Sequence, residues 1–275
     1  MRNLLHANLV RLKKDRAFWL CDAIMVLITV GVCVNQYSYQ INYNAHVVFD
    51  KLFLSYAMLT GFALAVFTSL FIGAEYSDGT IRNKVIVGHT RSEIYLANFL
   101  SCAAAGLLLD LIFVTVISCV GVPMFGFFQK ELSLVLLLAI DGLLLTIVYA
   151  ALFAMLSMLI SNKAVNSIIC LLLVFCGTLA AAILYSRLQE PEFITGMVMT
   201  VNGVSTGETW PNPLYLPPHI QAVCHVILDL LPSGQSIRIP GMTAPAPVRA
   251  AVFSVLETAL FTGIGLAVFR KKDLK

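Results

Sequence analysis

The sequence predicts an all-α polytopic membrane protein with six transmembrane helices, and three observations carry that prediction. The 275 residues are 59% hydrophobic and only 12% charged, with a mean hydropathy of +0.87, whereas soluble domains are about one quarter charged. Six apolar stretches are each long enough to cross a bilayer, which takes roughly 20 residues as a helix. The 18 Lys and Arg residues are also divided unevenly between the two sides those stretches define.

The six predicted spans cover 17–34, 53–73, 94–122, 132–160, 167–186 and 248–269. The third and fourth are long enough to tilt or project beyond the hydrocarbon. Only "SNKAVN" joins the fourth to the fifth, which predicts a hairpin of neighbouring helices. An even number of spans puts both termini on one side. That side receives the basic residues before the first span, then Arg82, Lys84, Arg91 and Lys163, then Arg270, Lys271, Lys272 and Lys275. The other receives Lys51, Lys130, Arg187, Arg238 and Arg249. The positive-inside rule places both termini in the cytoplasm of a cell membrane. No Asn-x-Ser/Thr sequon occurs, which is compatible with a bacterial source.

The chain reads as one transmembrane domain over 1–275. Residues 1–16 precede the first span. As a helix they align Leu5, Leu9 and Leu12, with basic and polar residues around the rest. Two arrangements fit: an amphipathic helix lying on the cytoplasmic leaflet, or an extension of the first span. The apolar run Ala17 to Val34 is too long for a secretory signal and is followed by no cleavage pattern.

The only sizeable extracytoplasmic loop covers 187–247. Its first half is rich in Gly, Pro and Thr and is expected to be irregular. Its second half is expected to be a helix too short to span. Pro217 and Pro218 suit its start, Pro232 and Gly234 its stop, and Ile220, Val223, Ile227 and Leu230 recur at helical spacing. No internal repeat of 20–50 residues is visible.

Chemistry-bearing motifs are sparse. The seven cysteines contain no CxxC pair and six lie in or beside spans, where Cys acts as a small hydrophobe; Cys224 is read as a lone thiol in the outer loop. The five histidines are scattered, and His219 and His225 are six apart, awkward for one metal on one helix face. No HExxH, nucleophile elbow or GxxxxGK[ST] phosphate loop is present. The chain is therefore expected to be no enzyme, to hold no cofactor or metal, and to bind no nucleic acid.

One segment stands out. "GAEYSDGTIRNKVIVGHTRSEIYLANFL", from Gly73 to Leu100, holds six of the 33 acidic and basic residues between the second and third spans. Ser77 or Asp78 is placed to cap a helix running to Gly88, and Thr90 to Glu93 has capping-box spacing before the third span. A helix of about nine residues is marginal alone, and Ile81, Val85 and Ile86 are expected to form an apolar edge beside Arg82 and Lys84. Such an element calls for a cover, either the lipid surface or another protein.

The segment 74–93 resembles the first cytoplasmic loop of type-two ATP-binding-cassette exporter permeases. The resemblance rests on the acidic-aromatic pair Glu75-Tyr76, on Gly79-Thr80, on Arg82 and Lys84, and on Arg91 leading into "SEIYLANFL". The basic amphipathic start, the six spans, the helix-bearing outer loop and "LPSGQ" before the last span are similar to the family's plan. One departure is that Gly88 and no Pro precedes Arg91. The resemblance implies a transport subunit without chemistry of its own, exporting a peptide, drug or lipid. It implies that Glu75, Tyr76, Gly79, Thr80, Arg82, Lys84 and Arg91 couple the spans to a separate cytosolic ATPase, which binds the ATP. It also implies a second permease copy or paralogue.

Asp110, Asp141 and Glu257 lie well inside spans three, four and six, and Asp22 lies near the cytoplasmic end of span one. An ionised carboxylate is costly at the bilayer centre. They fit either interhelical fastening, with Thr115, Thr146, Tyr149 and Thr258 as candidate partners, or a polar translocation path or proton relay. The latter use belongs to a proton-coupled secondary transporter. A non-transporting membrane scaffold or immunity protein is a third class the composition admits.

Overall fold

A computed structural model describes residues 1–200, 203–243 and 247–273. The described chain contains six helical segments long and apolar enough to cross a membrane: Arg16–Tyr43, Phe49–Ser77, Arg91–Phe125, Leu132–Leu159, Lys163–Leu188 and Pro247–Lys271. Five contain their expected apolar runs and extend them by a few residues, while the fourth, expected over 132–160, ends one residue earlier at Leu159. The first runs furthest past its expected end, because "NQYSYQINY" continues the helix to Tyr43, where Asn44 closes it in the left-handed conformation (φ 51°).

The helices in chain order are α1 (Arg2–Lys14), α2 (Arg16–Tyr43), α3 (Phe49–Phe53), α4 (Tyr56–Ser77), α5 (Thr80–Ile86), α6 (Arg91–Phe125), α7 (Leu132–Leu159) and α8 (Lys163–Leu188). A hairpin of β1 (Phe193–Thr200) and β2 (Gly203–Pro211) follows, then α9 (Pro218–Leu230), α10 (Pro232–Gly241) and α11 (Pro247–Lys271). The second span is thus α3 and α4 together, broken at Leu54 and Ser55. The second span and α7 form the centre, with 61% and 56% of their most apolar stretches buried, while in α2, α8 and α11 only 22%, 17% and 22% are buried. α7 packs against α4, α6 and α11, and α4 also packs against α8.

Close helix approach is bought with small residues, as expected where lipid offers no hydrophobic gradient. The backbone at Gly106 lies against Thr146 and Leu64, and Gly142 lies under the Tyr56 ring. The Tyr56 hydroxyl donates to the Ala139 carbonyl at 2.6 Å. Arg91 reaches the carbonyls of Phe269 and Arg270, and Lys272 reaches Ser161. The Met1 amine pairs with Glu93 at 3.0 Å. Both chain ends and the α4–α6 and α7–α8 connections therefore share one end of the bundle, here the terminal end.

The opposite, hairpin end departs from the expected loop in two ways. Its first half is not irregular: β1 and β2 pair antiparallel, Phe193 opposite Pro211 and Thr200 opposite Gly203, with a bulge between Thr195 and Met197. The fold is therefore helical with one two-stranded ribbon. Pro232 does end α9, but it also opens α10, since a proline is tolerated in a helix's first turn. Gly234 is required there, because a Cβ would collide with the Leu228 backbone one helix earlier. α10 is not laid on the bundle but set into it, with Gly234, Gln235, Ser236, Arg238 and Ile239 buried against α7, α8 and α4. Cys224 is a free thiol, as expected, and lies buried on α9.

Candidate functional site

The segment singled out in the sequence forms a compact structure at the terminal end. α4 ends at Ser77, and the chain turns through Gly79 at φ 67°, a left-handed conformation that costs glycine little. Neither Ser77 nor Asp78 caps α5, contrary to expectation. Ser77 bonds back to Gly73 and Ala74, and the cap position is Gly79. The Thr80 hydroxyl instead donates to the Glu75 carbonyl at 3.1 Å, satisfying one of the free carbonyls at the end of α4. α5 ends at Ile86, and the chain turns at Gly88 (φ 100°). Thr90 and Glu93 form the expected reciprocal capping box at the start of α6.

Glu75 is the hub of this structure and is 1% exposed. One carboxylate oxygen accepts from both Arg11 Nη1 and Lys84 Nζ, each at 2.5 Å, and the other accepts from Asn98 Nδ2 at 2.9 Å. Asn8 closes a ring: its amide donates to Asn98 at 2.7 Å, and its oxygen accepts from Lys84 at 3.3 Å. Arg11 also donates to the Phe71 carbonyl and stacks over the Phe71 ring, 3.7 Å from its centroid. The ring therefore links α1, α4, α5 and α6. A buried carboxylate needs such saturation, because its desolvation is repaid only by well-formed partners.

This geometry corrects the expected surface. Glu75 and Lys84 face the bundle, so neither is offered outward. Ile81 is buried and Val85 is packed on the core. The exposed apolar edge is Ile86 and Val87, 75% and 78% exposed, beside exposed Arg82. The helix had two apolar sides to dispose of, and the Lys84–Glu75 pair chooses which of them turns inward.

Tyr76 and Arg91 serve the other connection. The Tyr76 hydroxyl donates to the Met158 carbonyl at the end of α7 and accepts from Lys272 Nζ at 3.0 Å. Lys272 also donates to Met158 and Ser161 and lies 4.3 Å from the Tyr76 ring centre, and its burial lowers its pKa. Arg91 donates to the carbonyls of Phe269, Arg270 and Lys272, closing the last turn of α11. A cleft of about 510 Å³ opens between these elements, lined by Tyr76, Gly79, Arg82, Ser161 and Asp273.

The intramembrane carboxylates separate into two kinds. Asp110 is fully buried and accepts from Thr60 and from Thr146, the latter at 2.6 Å, which fastens α4, α6 and α7 together. Thr146 was among its expected partners. Thr115 and Thr258 bond their own helix carbonyls instead. Both oxygens of Asp141 and one of Glu257 are buried without a hydrogen-bond partner among the described residues.

A second charge centre, which the sequence did not disclose, lies at the hairpin end. Asp229 on α9 is 1% exposed and accepts from Arg238 on α10 and from Arg249 Nε on α11 at 2.7 Å. Arg238, itself 2% exposed, also donates to the His225 carbonyl at 3.0 Å and the Thr243 carbonyl at 3.1 Å. Nothing marks the trio as a motif; the one hint was two arginines near the otherwise unexplained Asp229. No group of three or more His, Cys, Asp or Glu among the described residues is placed to hold a metal. A scan against protein-family models and a search of curated proteins give no match for the chain.

Proposed function

We propose that the chain is the membrane-spanning permease subunit of an ATP-binding-cassette exporter, with a separate cytosolic ATPase gripping α5. The observation that carries this reading is the two-sidedness of α5. Its inner face is locked into the bundle by Ile81 and the Lys84–Glu75 pair, while Arg82, Ile86 and Val87 are left uncovered. A short helix with an apolar exposed edge is stabilised by a cover. A cover that moves would pull, through Glu75, on α1, α4 and α6 at once. In this reading the terminal end faces the cytosol, the permease works as a homodimer or with a paralogue in a cell membrane, and the cargo is a peptide, drug or lipid.

The test is co-purification with an ATPase encoded in the same gene neighbourhood. Arg82→Glu combined with Ile86→Ser and Val87→Ser is expected to lower ATPase recovery at least roughly tenfold at unchanged membrane yield, as for loss of a small hot spot. Recovery at the wild-type level would reject the reading.

A second reading, a proton-coupled secondary transporter, is favoured by one observation only: the partnerless oxygens of Asp141 and Glu257. It predicts transport that collapses with the proton gradient and in Asp141→Asn, with no ATPase required. Asp110 is the poorer proton carrier, being held by two threonines.

A further inference from the structure

The face of α1 turned away from the Glu75 ring has no role in either reading. Arg2, His6, Leu9 and Lys13 follow one another at spacings of four, three and four, so they share one stripe of the helix. Arg2, His6 and Lys13 are exposed, and among the described residues none of them makes an ion pair. The carboxylates at either end of α1 are already engaged. Glu93 holds the Met1 amine, and Asp15 caps α2 by accepting from the amides of Ala17 and Phe18.

Two hollows meet on this stripe. One, about 560 Å³, is apolar and lies in the corner where α1 turns into α2 against α6. Leu9, Phe18, Trp19, Leu108 and Ile112 line it, with Lys13 and His6 at its edge. The other, about 550 Å³, is bordered by the side chains of Arg2, Asn3, His6 and Ala7. His6 borders both. The indole N–H of Trp19 donates to the Lys13 carbonyl at 2.9 Å, so the ring is held as a wall of the corner. The apolar hollow extends toward Leu108 and Ile112, far along α6 into the apolar span. The second lies the other way, toward the chain terminus, beside Arg2 and Asn3.

We infer that this stripe is a binding site for one anionic phospholipid, its acyl chain along Leu9, Trp19, Leu108 and Ile112 and its phosphate among Arg2, His6 and Lys13. The order of apolar and basic ends matches a lipid standing in the leaflet next to the terminal end. The excess of unpaired positive charge selects an anionic over a zwitterionic headgroup. The inference stands on this face alone and does not depend on the permease reading.

The chain has two tryptophans, so Trp210→Phe leaves Trp19 as the sole reporter. The full-length variant, in neutral detergent micelles, is titrated with phosphatidylglycerol or phosphatidylcholine brominated on the acyl chain. Trp19 fluorescence is expected to be quenched by phosphatidylglycerol at a mole fraction roughly fivefold or more below that for phosphatidylcholine, about the contribution of one basic residue or more. Arg2→Gln, His6→Gln and Lys13→Gln together should erase the preference, whereas Lys14→Gln with Arg16→Gln should keep it. Leu108→Asn, at the acyl end, should weaken both lipids and leave the preference. Equal quenching by the two lipids in the unmodified-charge protein overturns the inference whatever the variants do. So does a preference that survives the triple replacement, or recovery of fluorescence on adding inorganic phosphate, which would mark a free-anion site.

Discussion

The two ends of the bundle solve one problem, a buried carboxylate, with different materials. At the terminal end Glu75 is met by Arg11 and Lys84, whose side chains are 32% and 18% exposed, and by a neutral amide from Asn98. At the hairpin end Asp229 is met by two arginines, one only 2% exposed and the other 35%. The first hub joins three consecutive helices, α4, α5 and α6, to α1, whose Arg11 lies 64 residues before Glu75. The second joins three consecutive helices, α9, α10 and α11. A hub with wet cations and long-range partners is suited to shifting when one element is pulled. A hub with a dry arginine is suited to fixing the α9–α10 corner inside the bundle.

The comparison is broken most directly by removing each carboxylate. Asp229→Asn strands a dry guanidinium and is expected to cost about 3–5 kcal/mol, the penalty for breaking a buried pair. Glu75→Gln leaves cations that can turn to water, so its cost is expected to be smaller, about 1.5–3 kcal/mol for lost charge-assisted bonds. Thermal unfolding of both variants in one detergent ranks them. A Glu75 variant less stable than the Asp229 variant would refute the distinction between a yielding hub and a fixed one.

What the sequence made legible was local or statistical. Spans emerge from hydropathy alone, since roughly 20 apolar residues have few other uses. The capping box at Thr90 and the breaks at Gly79 and Gly88 are read within a few residues of where they act. The inward turn of Lys84 was not legible, because the partner that fixes the Glu75 hub from outside the segment, Arg11, lies 64 residues away. Asp229 has nearer partners, nine and 20 residues on, but they lie on two later helices, and no spacing rule pairs residues of different helices. The hairpin has a local signal in the sequence, since Asn202-Gly203 between runs rich in Val, Thr and Met is a short-range turn pattern. Composition rich in Gly and Thr suggested irregularity instead, a reminder that Thr favours strands as well as loops. Of the three intramembrane carboxylates, only Asp110 met an expected partner, because Thr146 sits at matching depth on the neighbouring helix.

Asp110 offers a midpoint between the hubs, with hydroxyl partners and no cation. Asp110→Asn keeps an acceptor for Thr60 or Thr146 and leaves no carboxyl group that could ionise within the span. The expected loss is about 0.6–1.7 kcal/mol, the range of single interhelical hydrogen bonds in membranes. A loss as large as that of Glu75→Gln would show that Asp110 is ionised and balanced by a charge outside the described contacts.

The smallest effect sharpens the dry side of the comparison through pH. His225 on α9 lies beside Arg238, and burial first, then the Arg238 charge, lowers its pKa below the ordinary 6.5. A depressed folded-state pKa means that the unfolded chain takes up the proton more readily than the folded one. Stability is then full above about pH 6.5 and is lost as pH falls through the lowered folded-state value. His225→Gln removes that titration while keeping the backbone carbonyl that Arg238 uses. The unfolding temperature of the variant should therefore fall less steeply than that of the parent between pH 7 and pH 5, with Asp229 intact in both. Parallel pH profiles would show that the histidine ring is solvated in the folded protein and that the dryness of this end is confined to Arg238 and Asp229.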